Sequence, residues 1–244
     1  MDISSLNNDL ERLKLDYLRE NCETAADKAA RSGLSHLEFL ADLIAAERAH
    51  LDERATKRRI RNARLPFLRT LDTFDWTYPS KINRSQVQNL FHLRFLAEHG
   101  NVIYVGETGV GKTHLAIALA HHACINGHRV LYTTAIDIVN HLAAARQMNC
   151  FAKELRRFVR PPLLCIDELG YLPIDQQGAD SLFQVISQRY ERSSTILTTN
   201  RKFKEWPKTF NNDSILTSAL LDRLLHRAEV VVITGPSGRR KFQD

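Results

Sequence analysis

The segment Gly106-Glu107-Thr108-Gly109-Val110-Gly111-Lys112-Thr113 constrains this chain more than any other. It matches the pattern G-x-x-x-x-G-K-[ST] at every fixed position. The pattern is informative only between a strand and a helix, and both neighbours fit. Asn101 to Val105 is a short apolar run, and apolar residues recur at helical spacing from Thr113 to Ile125. Glycines allow backbone N–H groups to turn inward around phosphate oxygens, and the N-terminus of the following helix adds positive potential. Lys112 is placed to reach the β- and γ-phosphates of ATP, and the Thr113 hydroxyl to ligate Mg²⁺.

Beyond this loop the chain alternates between strand and helix. Short apolar runs stand at Val130–Thr133, Leu163–Ile166, Thr195–Thr199 and Val230–Thr234. Helical patterns fill the gaps at Thr113–Ile125, Ile136–Ala145, Ala179–Arg192 and Ser218–Arg227. Strands that are apolar on both faces and separated by helices predict an α/β fold, a parallel sheet sandwiched by helices. Asp167 and Glu168 directly follow the third run. An acid there suits a Walker B role, holding Mg²⁺ through water, and the next acid is placed to polarise an attacking water. A whole strand, 130–133, lies between the two motifs, an order that matches the P-loop division with a catalytic glutamate. Asn200 ends the fourth run and is expected on the γ-phosphate side.

Composition limits the alternatives. With 43% hydrophobic residues over 244 positions, the chain carries too much apolar content for disorder. No apolar stretch approaches a membrane span, and the polar start Met1-Asp2-Ile3-Ser4 does not read as a signal peptide. Cys22, Cys124, Cys150 and Cys165 lie far apart, which argues against a zinc ribbon or a disulfide framework and for a cytoplasmic setting. The net charge of +6 is unevenly placed. Residues 54, 57, 58, 59, 61, 64 and 69 are basic, and no acid lies between Arg54 and Arg69. Lys57, Arg58, Arg59 and Arg61 are the candidate contacts to DNA phosphates. This stretch continues a helix that opens at Ser35-His36-Leu37-Glu38, an S-x-x-E capping box. The chain thus reads as a small helical domain over residues 1–65, a linker and lead-in over 66–98, and a P-loop domain over 99–244.

Four runs occur together in order: Gly111-Lys112-Thr113-His114-Leu115-Ala116, Ile166-Asp167-Glu168-Leu169-Gly170-Tyr171-Leu172-Pro173, Thr198-Thr199-Asn200 and Leu221-Asp222-Arg223-Leu224-Leu225-His226. They resemble the IstB family, AAA+ ATPases encoded by insertion sequences and related to DnaC-type helicase loaders. The resemblance covers nearly the whole chain. It implies an ATPase with Lys112, Thr113 and His114 in or beside Walker A, Asp167 and Glu168 as Walker B, Asn200 as sensor 1 and Arg223 as the arginine finger. It also implies a homo-oligomer that assembles with ATP on double-stranded DNA and works with a transposase in target selection. The family usually closes on a Gly-x-Ser-Tyr-Arg segment; here Gly235-Pro236-Ser237-Gly238-Arg239-Arg240 has glycine in place of tyrosine, with Arg239 in register for the second sensor.

Two other functions stay open on the sequence: a DnaC-like replicative helicase loader and a metabolic P-loop kinase. The kinase has no use for Arg223 or for the basic helix. Several residues invite plainer readings. Cys165 reads as core, and His121-His122 lack a spaced partner for metal. Phe74 and Trp76 suit either an adenine wall or core packing of the lead-in. Lys153, Arg156, Arg157 and Arg160 suit a solvated helix face or, in an oligomer around DNA, phosphate contact.

Overall fold

The computed structural model describes residues 3–77 and 79–237. Arg239, the expected second sensor, lies outside them. The chain divides into two compact units, Met1–Arg58 and Arg59–Asp244.

The first unit is helical, with α1 (Ile3–Arg12), α2 (Asp16–Ser32) and most of α3 (His36–Ala63). Gly33 ends α2 at φ +66, where its N–H reaches back to the carbonyls of Ala29 and Ala30. The capping box opens α3 as the sequence predicts: the Glu38 N–H donates to Ser35 Oγ at 3.3 Å, and the Ser35 N–H donates to Glu38 Oε2 at 2.8 Å. Leu10, Leu18 and Leu43 form a small core with Phe39, Tyr17 and Leu15. Glu47 is buried and accepts the Leu18 N–H at 2.8 Å, satisfying a free donor in the first turn of α2.

The second unit is a three-layer α/β domain. Its elements are α4 (Arg84–Leu90), α5 (Arg94–Ala97), β1 (Asn101–Gly106), α6 (Lys112–Ile125), β2 (Val130–Thr134), α7 (Ala135–Gln147), α8 (Phe151–Val159), β3 (Leu163–Leu169), α9 (Gln176–Arg189), β4 (Ser194–Thr199), a 3-10 turn over Phe203–Lys208, α10 (Ser214–Leu225) and β5 (Ala228–Ile233). The five apolar runs of the sequence are the five strands. They form one parallel sheet in the order β2-β3-β4-β1-β5. Alternate residues of each strand enter opposite cores, as the period of two requires. Ile103, Leu164, Ile166 and Leu197 face α7, α9 and α10, while Val102, Tyr104, Cys165 and Ile196 pack with α6, α4 and α5. Cys165 is fully buried in the core, as its apolar run predicts.

The 66–98 segment contains two short helices that no periodic signal announces; Val87, Leu90 and Phe95 anchor them in the core. Arg189 is a second feature that the sequence does not announce. It is 1% exposed and donates to the carbonyls of Phe158, Val159, Pro161 and Ser194 and to the Thr195 hydroxyl. These include the free carbonyls that end α8. Burial pushes the guanidinium down to about 9. Among the described residues no helix is long and apolar enough to cross a membrane.

Candidate active site

In this sheet β4 lies between β3 and β1, so the C-terminal ends of three strands open on one crevice. The loop after β1 forms one wall. Gly106 sits so close to β5 that a Cβ there would stand 2.2 Å from the Ile233 carbonyl oxygen. Val110 is 1% exposed and anchors the loop in the core. Glu107 and Thr108 are exposed, and Thr108, Gly109 and Gly111 line the cavity. Gly111 takes φ +96, a conformation that leads the chain into α6 and that a side chain would resist. The N-cap residue of α6 is Gly111, which has no side chain to cap the helix. The first N–H groups of α6 are therefore left for an incoming anion.

Lys112, Thr113, His114, Asp167, Glu168 and Asn200 all line one cavity of about 760 Å³. Lys112 is 9% exposed, and its ammonium donates to the Glu107 carbonyl at 2.7 Å, folded over its own loop. Asp167 is 3% exposed. Its Oδ1 accepts from the Thr113 hydroxyl at 3.0 Å and from the Thr198 hydroxyl, and its Oδ2 accepts from the Tyr132 hydroxyl at 2.7 Å. An ionised carboxylate offers about four acceptor positions. Three are filled, which leaves room for a metal-bound water. Thr113 spends its proton on Asp167 and keeps its lone pairs, as a metal ligand must. The donor set fits Mg²⁺ held by Thr113, phosphate and water. Burial and the neighbouring Asp167 raise the Tyr132 phenol well above its ordinary value, so it remains a donor.

Glu168 departs from the simple strand end that the sequence suggests. β3 runs on to Leu169 with a register shift against β4: Ile166 pairs Leu197 and Leu169 pairs Thr199. Asp167 and Glu168 thus share the single position opposite Thr198, a β-bulge. Glu168 takes φ +60, a conformation that costs on the order of 1–3 kcal/mol in a non-glycine residue. The bulge buries the Asp167 side chain and leaves that of Glu168 exposed toward the cavity. Asn200 lines the same cavity, and its buried Oδ1 has no hydrogen-bond partner among the described residues. Such an atom costs about 1–3 kcal/mol unless water or ligand pairs it.

Arg223 does not line this cavity. It donates to the Ala219 carbonyl at 2.8 Å, lies 5.0 Å from the Phe183 ring centre, and borders a smaller cleft with Glu191 and His226.

The aromatic expectation is settled in favour of the core. Phe74 is buried beneath the loop, and a Cβ on Gly111 would meet it at 2.6 Å. Trp76 packs edge-on to Phe74, with the Arg84 guanidinium 4.9 Å from its ring centre. Pro66, Phe67 and Arg69 line the cavity instead. His114 Nε2 lies 3.0 Å from the Thr70 carbonyl and the ring stacks edge-on with Phe74, so His114 ties the lead-in to α6. Burial lowers its pKa, which keeps the ring neutral near pH 7. Tyr132 and Thr198 are the residues that sequence reasoning missed. A polar side chain alternating into a buried strand next to an acid is their only signal.

In the first unit Lys57 and Arg58 are exposed, and Lys57 pairs with Glu53 at 2.6 Å. In the second, Arg61 is exposed, whereas Arg59 is half-buried and donates to the Cys124 carbonyl at 2.9 Å. Lys153 and Arg156 on α8 and Arg160 just after it are exposed, and Arg157 lies half-buried against Phe158.

The IstB-like ATP binding protein family model matches residues 8–244. The chain belongs to this family. It is 39% identical over 228 residues to a protein named for ATP binding in insertion sequence IS5376 of Geobacillus stearothermophilus, covering 93% of this chain and 90% of the relative. Its counterpart in insertion sequence IS21 of Pseudomonas aeruginosa is 39% identical over 232 residues, covering 95% and 87%. Among solved structures, DnaI superposes with a TM-score of 0.59 at 20% identity over 68% of this chain and 91% of that one. The DnaC helicase loader gives 0.55 at 23% identity over 68% and 96%. These likenesses establish the AAA+ P-loop fold.

Proposed function

We propose that this IstB-family protein hydrolyses ATP with Mg²⁺, assembles through ATP on duplex DNA, and assists a transposase in target selection. The carrying observation is the convergence of Lys112, Thr113, Asp167, Glu168 and Asn200 on one cavity. In this reading Lys112 leaves the Glu107 carbonyl for the β- and γ-phosphates. Mg²⁺, when bound, neutralises developing phosphate charge; Thr113 would ligate it, and Asp167 would hold a water of its shell. Glu168 accepts a proton from the attacking water, and Asn200 orients that water by accepting from it at Oδ1, or the γ-phosphate by donating from its amide nitrogen. Arg223 lies outside its own cavity, so it serves the neighbouring subunit's ATP and makes hydrolysis depend on assembly. The helical domain at 1–65 serves DNA or partner contact. Lys57, Arg58 and Arg61 meet phosphates; Arg59 contributes less, being committed to Cys124. Transposition is favoured over helicase loading because the relatives that match along nearly the whole chain are insertion-sequence proteins, whereas the likeness to DnaC is one of fold.

The test is Glu168→Gln. It should bind ATP as tightly as the parent and lose turnover, because only the proton acceptor is removed. Hydrolysis at the parental rate would overturn the assignment.

A further inference from the structure

The β-bulge that separates Asp167 from Glu168 has a chemical consequence at the strand beside it. A bulge leaves one backbone N–H of the longer strand without a ladder partner. Here it is the Glu168 N–H, and the Thr198 hydroxyl takes it at 3.0 Å. The same hydroxyl donates its proton to Asp167 Oδ1. Thr198 is 1% exposed, so both interactions are shielded from bulk water. One side chain thereby closes the gap in the ladder, fixes the metal-side carboxylate and holds the left-handed backbone that presents Glu168 to the cavity.

We infer that Thr198 is a positioning residue for hydrolysis, coupling the Asp167 carboxylate to the placement of Glu168. The inference rests on the hydrolytic reading of Glu168. Threonine suits the position for stated reasons. A hydroxyl both donates and accepts at one atom, which valine cannot do and which a carboxylate could do only when protonated. The β-branched shape also fits a strand. Without the hydroxyl, the Glu168 N–H and one Asp167 acceptor lose their partners together, and the bulge loses the hydrogen bond that stabilises its strained residue.

The experiment compares Thr198→Val, which keeps shape, with Thr198→Ser, which keeps the hydroxyl, and Glu168→Gln as reference. Thr198→Val should lower kcat at least about tenfold, since small misplacement of a reacting group is costly. Its KM for ATP and its affinity for an ATP analogue should stay near the parent's, because Lys112 and the loop are untouched. Thr198→Ser should keep most of the turnover. Hydrogen exchange at the Glu168 amide should quicken in Thr198→Val and stay slow in Thr198→Ser. Should the valine variant not fold, Thr198→Cys takes its place, and its weak donor predicts an intermediate loss of kcat. Parental turnover in Thr198→Val beside an inactive Glu168→Gln would overturn the inference alone, as would equal losses in the serine and valine variants. A fully active Glu168→Gln would instead sink the hydrolytic reading, and this role for Thr198 with it.

Discussion

Replacing Lys112 with alanine removes the one ammonium that, among the described residues, borders the cavity. Its effect can be bounded from the hydrogen bonds on each side of the binding equilibrium. With ATP bound, the ammonium is expected to reach two phosphates, each a charge-assisted hydrogen bond worth about 1.5–3 kcal/mol. Without ATP it donates a charge-assisted bond to the Glu107 carbonyl, which binding must break. Exchanging that bond for two leaves about one bond's worth, about 1.5–3 kcal/mol, or roughly 10- to 150-fold in Kd. Glu107 is exposed, so water satisfies the carbonyl once Lys112 is gone, and the melting temperature should move little. Titration calorimetry with a non-hydrolysable ATP analogue measures the affinity, and a thermal melt measures the fold. An unchanged Kd with an intact fold would refute the placement of phosphate beside Lys112.

If Arg223 serves a neighbour, Arg223→Ala and Lys112→Ala subunits should each be inactive alone and regain part of the ATPase activity when mixed; no recovery in verified mixed assemblies would count against a shared site. Changing Lys57, Arg58 and Arg61 together to alanine should weaken duplex binding equally on unrelated sequences and flatten the salt dependence by about 0.9 in log–log slope for each phosphate no longer neutralised. Arg59 is left in place because its removal would also disturb α6 through Cys124.

The sheet, its five strands and the loop at Gly106–Thr113 are legible in the sequence because each rests on local pattern: apolar runs, helical spacing and a motif whose residues are contiguous. The two acids after the third apolar run are legible, but the opposite burial of their side chains is not. The bulge that turns Asp167 inward and leaves Glu168 at the cavity arises from the register between β3 and β4, which no single segment encodes. Tyr132 and Thr198 escape notice for the same reason, since they reach Asp167 across the sheet from different strands. Phe74 and Trp76 suit a cavity wall or the core equally well in sequence. Only the close approach of Phe74 to Gly111 assigns it to the core, while Phe67, which no sequence pattern marks, lines the cavity. The helix at α3 announces itself through its capping box, yet the inward turn of Arg59 depends on where the α6 carbonyls lie.

The proposal that ATP drives assembly on DNA is tested most directly by fluorescence anisotropy of the parent protein on two unrelated duplexes, with an ATP analogue and then with ADP. Phosphate contacts carry no sequence information, and repeating them along one duplex raises avidity steeply. The two duplexes should therefore bind alike, tightly with the ATP analogue and far more weakly with ADP. Equal affinity with both nucleotides would contradict the account.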